Sequence, residues 1–163
     1  MLIIVCGLPG SGKSSLSNIL TKEFSAVYLN SDVIRKQLFE KPAYTEEEKR
    51  KVYEEMGRRT EEMLKKENVI VDATFYRKEY RKLMINIAKK LGKKTAVIRC
   101  KIDEKEAERR LAKRKQGLSD ADYAVYKKLE NEFEPLEPPY LEIHSSKKKE
   151  VVKYIKRVMG EEQ

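Results

Sequence analysis

The sequence predicts an α/β fold in which a five-stranded parallel sheet carries helices on both faces. Three observations predict it: five short apolar runs recur along the chain, longer segments of helical character separate them, and a glycine-rich octapeptide joins the first run to the first helix. The runs lie at 2–6, 26–30 (Ala-Val-Tyr-Leu-Asn), 69–73 (Val-Ile-Val-Asp-Ala), 95–100 (Thr-Ala-Val-Ile-Arg-Cys) and 141–144 (Leu-Glu-Ile-His). Strand–helix alternation of this kind favours parallel pairing, because each crossover lays a helix on the sheet.

The elements follow in order. Leu2-Ile3-Ile4-Val5-Cys6 reads as a buried strand, and a helix begins near Lys13. After the second strand, Ala43-Tyr44 precede Thr45-x-x-Glu48, a capping box that opens a long polar helix over about 45–66 with Val52, Met56, Met63 and Leu64 on one face. A helix at about 77–91 buries Leu83, Met84, Ile87, Ala88 and Leu91 and stops at Gly92. Asp103-x-x-Glu106 starts the next, Ser119 caps one more before Pro135, and the last, at about 148–159, carries the stripe Val151, Val152, Ile155 and Met159. At 163 residues, with no internal repeat, the chain is expected to form a single domain spanning 1–163.

Composition narrows the function classes. Charged residues make up 39% and the net charge is +9, so a densely ionic surface follows. No apolar run approaches the ~20 residues of a membrane span, and the N-terminus lacks signal-peptide features, so a cytoplasmic location without membrane association is expected. Cys6 and Cys100 lie in strand-like runs without metal-ligand spacing and are expected to be buried free thiols. The basic excess concentrates in 81–115, which suits a polyanion, although Lys89, Lys90, Lys93 and Lys94 also suit a helix C-terminus.

The octapeptide carries the most specific chemistry. Gly7-Leu8-Pro9-Gly10-Ser11-Gly12-Lys13-Ser14, followed by Ser15, fits G-x-x-x-x-G-K-[ST] with a strand before it and a helix after it. Glycines let backbone N–H groups turn around a phosphate, Lys13 reaches the β- and γ-phosphates, and the Ser14 hydroxyl suits Mg²⁺. The fold expected is therefore a P-loop NTPase of nucleoside-kinase type, binding ATP with Mg²⁺. The second strand ends in Asn30-Ser31-Asp32 with Arg35 one helical turn on. Ligands of open parallel sheets sit beyond the strand carboxyl ends, so Asp32 is expected to take the proton of an attacking hydroxyl and Arg35 to hold an anionic acceptor. Asp72, ending the third strand, occupies the Walker-B position for Mg²⁺; the alternative is that it orients Ser14 or caps the next helix. Arg110 and Arg114 lie one turn apart, where both could close over the transferred phosphoryl group as a lid within about 105–125. Arg58 and Arg59 read mainly as a solvated face, His144 as a core or strand-end imidazole, and no aromatic platform is evident at the cleft mouth.

Taken together, Gly7 to Ser14, Ser31-Asp32-x-x-Arg35, Val71-Asp72-Ala73-Thr74-Phe75, Arg110-x-x-x-Arg114, and Ser119-Asp120-Ala121-Asp122 running into Phe133-Glu134-Pro135 resemble the small P-loop kinases grouped with phage-type polynucleotide 5′-hydroxyl kinases and the kinase domain of archaeal seryl-tRNA kinases. The resemblance implies that Lys13 and Ser14 serve ATP and Mg²⁺, Asp32 is the general base, Arg35 binds a phosphate beside the acceptor hydroxyl, and Arg110 and Arg114 form the lid. It also places Arg77 and Arg81 where relatives carry basic residues. The phosphatase domain of the phage-type enzymes and the tRNA-gripping helical domain of seryl-tRNA kinases are not in this sequence, so neither 3′-phosphatase activity nor whole-tRNA binding is expected. The expected function is an ATP-dependent phosphotransferase acting on a hydroxyl, foremost the 5′-hydroxyl of RNA or DNA. A small-metabolite kinase and a non-catalytic nucleotide switch are the alternatives.

Overall fold

In a computed structural model of the chain, residues 1–113, 122–144 and 147–160 are described. Among these residues five strands are interspersed with seven helices: β1 Leu2–Cys6, α1 Lys13–Glu23, β2 Val27–Asn30, α2 Ser31–Leu38, α3 Glu46–Leu64, β3 Val69–Asp72, α4 Lys78–Lys90, β4 Thr95–Lys101, α5 Glu104–Ala112, α6 Tyr123–Glu132, β5 Leu141–His144 and α7 Lys148–Met159. All pairings are parallel and the order across the sheet is β2-β3-β1-β4-β5, which bears out the expected fold class.

Alternation along the strands divides the core between two faces. Leu2, Ile4, Val69 and Val71 join Val52, Met56, Leu64 and Met84 on the α3/α4 face, whereas Ile3, Val5, Ile70 and Ile98 join Leu16, Leu20, Val151 and Ile155 on the α1/α7 face. All five β1 residues are fully buried, so both faces of the central strand are covered, each such side chain contributing about 1.5–3 kcal/mol relative to exposure. The Thr45 cap forms as the sequence predicts: its hydroxyl accepts from the Glu48 N–H at 3.2 Å. The capping of α6 differs, because Asp122 caps it by accepting from the Val125 N–H at 2.9 Å; Ser119 lies outside the described residues.

Register brings the site together. Val5 pairs with Asp72 and Asn30 pairs with Asp72, so the carboxyl ends of β1, β2 and β3 finish side by side. From β1 the chain goes to the edge strand β2, returns to β3 beside β1, and then crosses to β4 and β5 on the other side, and the crevice forms beyond the strand ends where the order changes side. No helix among the described residues is long and apolar enough to cross a membrane.

Candidate functional site

The loop after β1 passes so close to β4 that residue 7 must be glycine. A Cβ there would lie 2.4 Å from the Cys100 carbonyl oxygen, and φ is +147°. At the other end of the loop Gly12 is the N-cap of α1 with φ 88°, and no side chain caps the helix. The loop therefore leads an anion-ready helix end into the crevice, as the octapeptide implied. Lys13 Nζ donates to the Leu8 carbonyl at 3.1 Å, which parks the ammonium over the loop.

Across from the loop stands Asp72. Its Oδ2 accepts from Ser14 Oγ at 3.0 Å, from the Tyr28 hydroxyl at 2.6 Å and from Asn30 Nδ2 at 3.3 Å. Burial, and then the neighbouring Asp72 carboxylate, push the Tyr28 phenol up to about 12, so Tyr28 stays a donor at neutral pH. A serine hydroxyl beside a carboxylate is a hard-oxygen pair, the donor set suited to Mg²⁺, which keeps several waters and phosphate oxygens of its own. Among the described residues no group of three or more His, Cys, Asp or Glu offers a closed metal cage.

One wall of the cleft is built on α2. Asn30 Oδ1 accepts from the N–H groups of Asp32 and Val33 at 2.8 and 3.2 Å, starting the helix so that Asp32 and Arg35 share one wall of the cleft. Burial raises the Asp32 carboxyl above its ordinary value, and the Arg35 cation, 3.5 Å away, partly opposes that shift. The Arg35 side chain is only 11% exposed, and its buried Nε has no hydrogen-bond partner among the described residues. A buried guanidinium with an unused donor is poised for an anion.

The cleft encloses about 310 Å³. Its floor is the loop from Pro9 to Ser15 with Asp72 to Thr74, and its far wall is aromatic: Tyr44, Tyr53 and Tyr76, with Lys49 and Lys128 beside them. The sequence alone made no aromatic platform evident at the cleft mouth; the fold brings three tyrosines to its lining. Tyr44 lies 4.9 Å from the Arg35 guanidinium, Lys49 lies 5.3 Å from the Tyr76 ring, and Tyr53 stacks on Tyr80 at 3.8 Å.

The other arginines divide. Arg110 leans over the loop, Nη1 donating to the Gly10 carbonyl at 3.2 Å while Nε bonds Glu106 at 2.7 Å; Arg114 lies outside the described residues. Arg58 and Arg59 face away from the cleft, both bonded to Glu55, whose carboxyl they hold down at about 2. Arg77 pairs with Glu46 at 3.1 Å. Arg81 does not face the cleft: only 5% exposed, it donates to the carbonyls of Phe75, Tyr76, Glu134 and Pro135. His144 is exposed at the end of β5, and Cys6 and Cys100 are buried free thiols pushed up to about 12 by burial.

Comparison with known structures agrees with this architecture. The Sinorhizobium meliloti gluconokinase is 17% identical with TM-score 0.71, over 97% of this chain and 90% of that one. Chaetomium thermophilum Kti12 in complex with ADP-AlF3 is 18% identical with TM-score 0.77, over 98% of each chain. The Mycobacterium tuberculosis APS kinase in complex with AMPPNP and APS is 21% identical with TM-score 0.67, over 95% of this chain and 96% of that one. At these identities the likeness is one of fold. The profile of the AAA domain family matches residues 2–136, from β1 through the loop, the Asp32 helix and the Asp72 strand to just beyond α6, and the chain belongs to that family of P-loop proteins.

Proposed function

We propose that the protein is an ATP-dependent kinase that transfers the γ-phosphate to a hydroxyl lying beside an anionic group, foremost the 5′-hydroxyl at the end of RNA or DNA. The observation that carries this reading is the Asp32–Arg35 pair, held on one wall of the cleft opposite the P-loop. A nucleotide switch has no use for a proton acceptor and an anion clamp at that place.

The chemistry needs little beyond positioning and charge. Loop N–H groups and Lys13 take the ATP phosphates, Lys13 leaving the Leu8 carbonyl to do so. Ser14 and Asp72 would hold Mg²⁺, which when bound neutralises phosphate charge. Arg35 takes the anion of the acceptor and so fixes the neighbouring hydroxyl near Asp32. The Asp32 carboxylate accepts the hydroxyl proton as the oxygen attacks the γ-phosphorus; the bond to the β–γ bridging oxygen breaks and ADP leaves. Arg110, already at the Gly10 carbonyl, is placed to add positive charge above the phosphates. Arg114 is assigned to the same lid by sequence alone.

The limited volume of the cleft, about 310 Å³, favours a second reading in which the whole acceptor is a small metabolite. Transfer of labelled γ-phosphate to 5′-hydroxyl oligonucleotides, with gluconate as a small acid acceptor, separates the two. Label on oligonucleotides that disappears with Asp32→Asn supports the first reading; label on gluconate alone rejects it. A polynucleotide acceptor also loses affinity steeply with salt, whereas a small acceptor does not.

A further inference from the structure

Backbone strain marks a residue that the proposed reaction has not used. Among the described residues three other than glycine have positive φ: Ser25 at 45°, Tyr44 at 57° and Phe75 at 50°. For such residues the left-handed region costs roughly 1–2 kcal/mol. Ser25 turns the chain directly after α1, with the Ala26 N–H returning to the Thr21 carbonyl at 3.0 Å. Phe75 is fully buried in the core, its N–H donating to the Tyr53 hydroxyl at 3.0 Å. Each of these has a structural reason.

Tyr44 has its backbone reason in the turn before α3, and none in the core. It is 39% exposed and belongs to none of the hydrophobic clusters among the described residues. Glycine or asparagine would adopt this conformation more easily. The strain is instead held by the capping box of α3: the Glu48 carboxylate accepts from the Ala43 N–H at 2.9 Å and from the Tyr44 N–H at 2.8 Å. The result is an aromatic ring fixed at the cleft wall, against the Arg35 guanidinium at 4.9 Å. Those backbone bonds would form as well with glycine at this position, so a half-exposed ring carried there onto the cleft wall points to a role for the side chain itself.

We propose that Tyr44 is a stacking platform for a nucleobase of the acceptor, the base adjoining the phosphate that Arg35 holds. The proposal rests on the kinase reading and narrows it: the acceptor hydroxyl belongs to a nucleoside unit with a neighbouring phosphate. Arg35 recognises the charge and Tyr44 the ring, and the two are mutually braced, so base and phosphate are read as one unit. A sugar acid would satisfy Arg35 and leave the tyrosine unused.

The test compares adenosine 3′-monophosphate with methyl β-D-ribofuranoside 3-phosphate, whose glycosidic methyl locks the furanose ring, so that it shares the free 5-hydroxyl and the phosphate but has no base. Binding is measured by calorimetry to the protein saturated with ADP and Mg²⁺, and phosphate transfer is measured separately with ATP. Wild type and Tyr44→Phe should bind the base-bearing probe roughly 5- to 150-fold more tightly than the abasic one. Tyr44→Gly should lose that advantage while its unfolding midpoint stays within about 3 °C of wild type, because relief of the positive φ offsets the added chain freedom. An advantage that survives Tyr44→Gly, or that is absent in wild type, overturns the platform. Equal transfer to both probes, unaffected by Tyr44→Gly, overturns the platform and leaves the kinase reading standing. A Tyr44-dependent binding advantage without transfer to any acceptor keeps the platform and overturns the kinase reading.

Discussion

Replacing Arg81 by methionine separates a structural from a ligand-binding arginine. The guanidinium donates through Nη1 to Phe75 O at 2.6 Å and Tyr76 O at 3.4 Å, and through Nη2 to Glu134 O at 3.0 Å and Pro135 O at 2.8 Å. Methionine keeps much of the apolar stem beside Phe133, 5.7 Å from the guanidinium, and removes every donor. Three short bonds from a charged donor would each be worth about 1.5–3 kcal/mol, but release of a desolvated cation returns part of that. Burial is also what lowers the Arg81 pKa. The net loss expected is about 3–5 kcal/mol, or roughly 10 °C in unfolding midpoint for a domain of this size. Urea unfolding followed by circular dichroism reads it directly, and acceptor KM measured well below the transition reads any contact with substrate. A loss below about 1 kcal/mol, or a KM defect in a protein of normal stability, would refute the strut and return Arg81 to the acceptor site.

Three further outcomes are expected. Gly7→Ala forces a Cβ against the Cys100 carbonyl and should cost about 3 kcal/mol of stability together with nucleotide binding; a stable variant that still binds ATP would show that the loop can shift away from β4. The rate of phosphate transfer should rise with pH as Asp32 loses its proton, with a midpoint above the ordinary 3.8, and Arg35→Met should move that midpoint further up by removing the cation that favours the carboxylate. The same raised pKa makes the folded state hold the Asp32 proton more tightly, so its contribution to stability falls as pH climbs from the unfolded to the folded value; an acid limb that survives Asp32→Asn unchanged would assign the titration elsewhere. Arg110→Ala should lower kcat by about 100-fold with a smaller effect on the KM for ATP, and a change in KM alone would make Arg110 a ground-state binding residue.

The strands and most helices were legible because their signals are local. Apolar runs, the Thr45–Glu48 box and the stop at Gly92 each act within a few residues, and each reappears in the structure. The P-loop was legible for the same reason. Sheet order was not, since nothing in Val69 to Asp72 states that it pairs with both β1 and β2. The aromatic wall was missed because Tyr44, Tyr53 and Tyr76 are scattered over two helices' worth of sequence and meet only when α3 packs beside β3. Arg81 left a readable trace: with Met84 and Ala88 it falls on the buried stripe of α4, and an arginine on such a stripe must find carbonyls or carboxylates. Tyr28 left none, because a strand tyrosine looks the same whether its hydroxyl meets solvent or Asp72.

Asn30 belongs to both halves of the site: its amide nitrogen donates to Asp72, while its oxygen receives the first N–H groups of the helix that bears Asp32 and Arg35. One planar group thus ties the Asp72 carboxylate to the start of the helix that bears Asp32. On the kinase reading, a different acceptor would be accommodated in the connector at 39–45 that carries Tyr44, while this joint stays as it is.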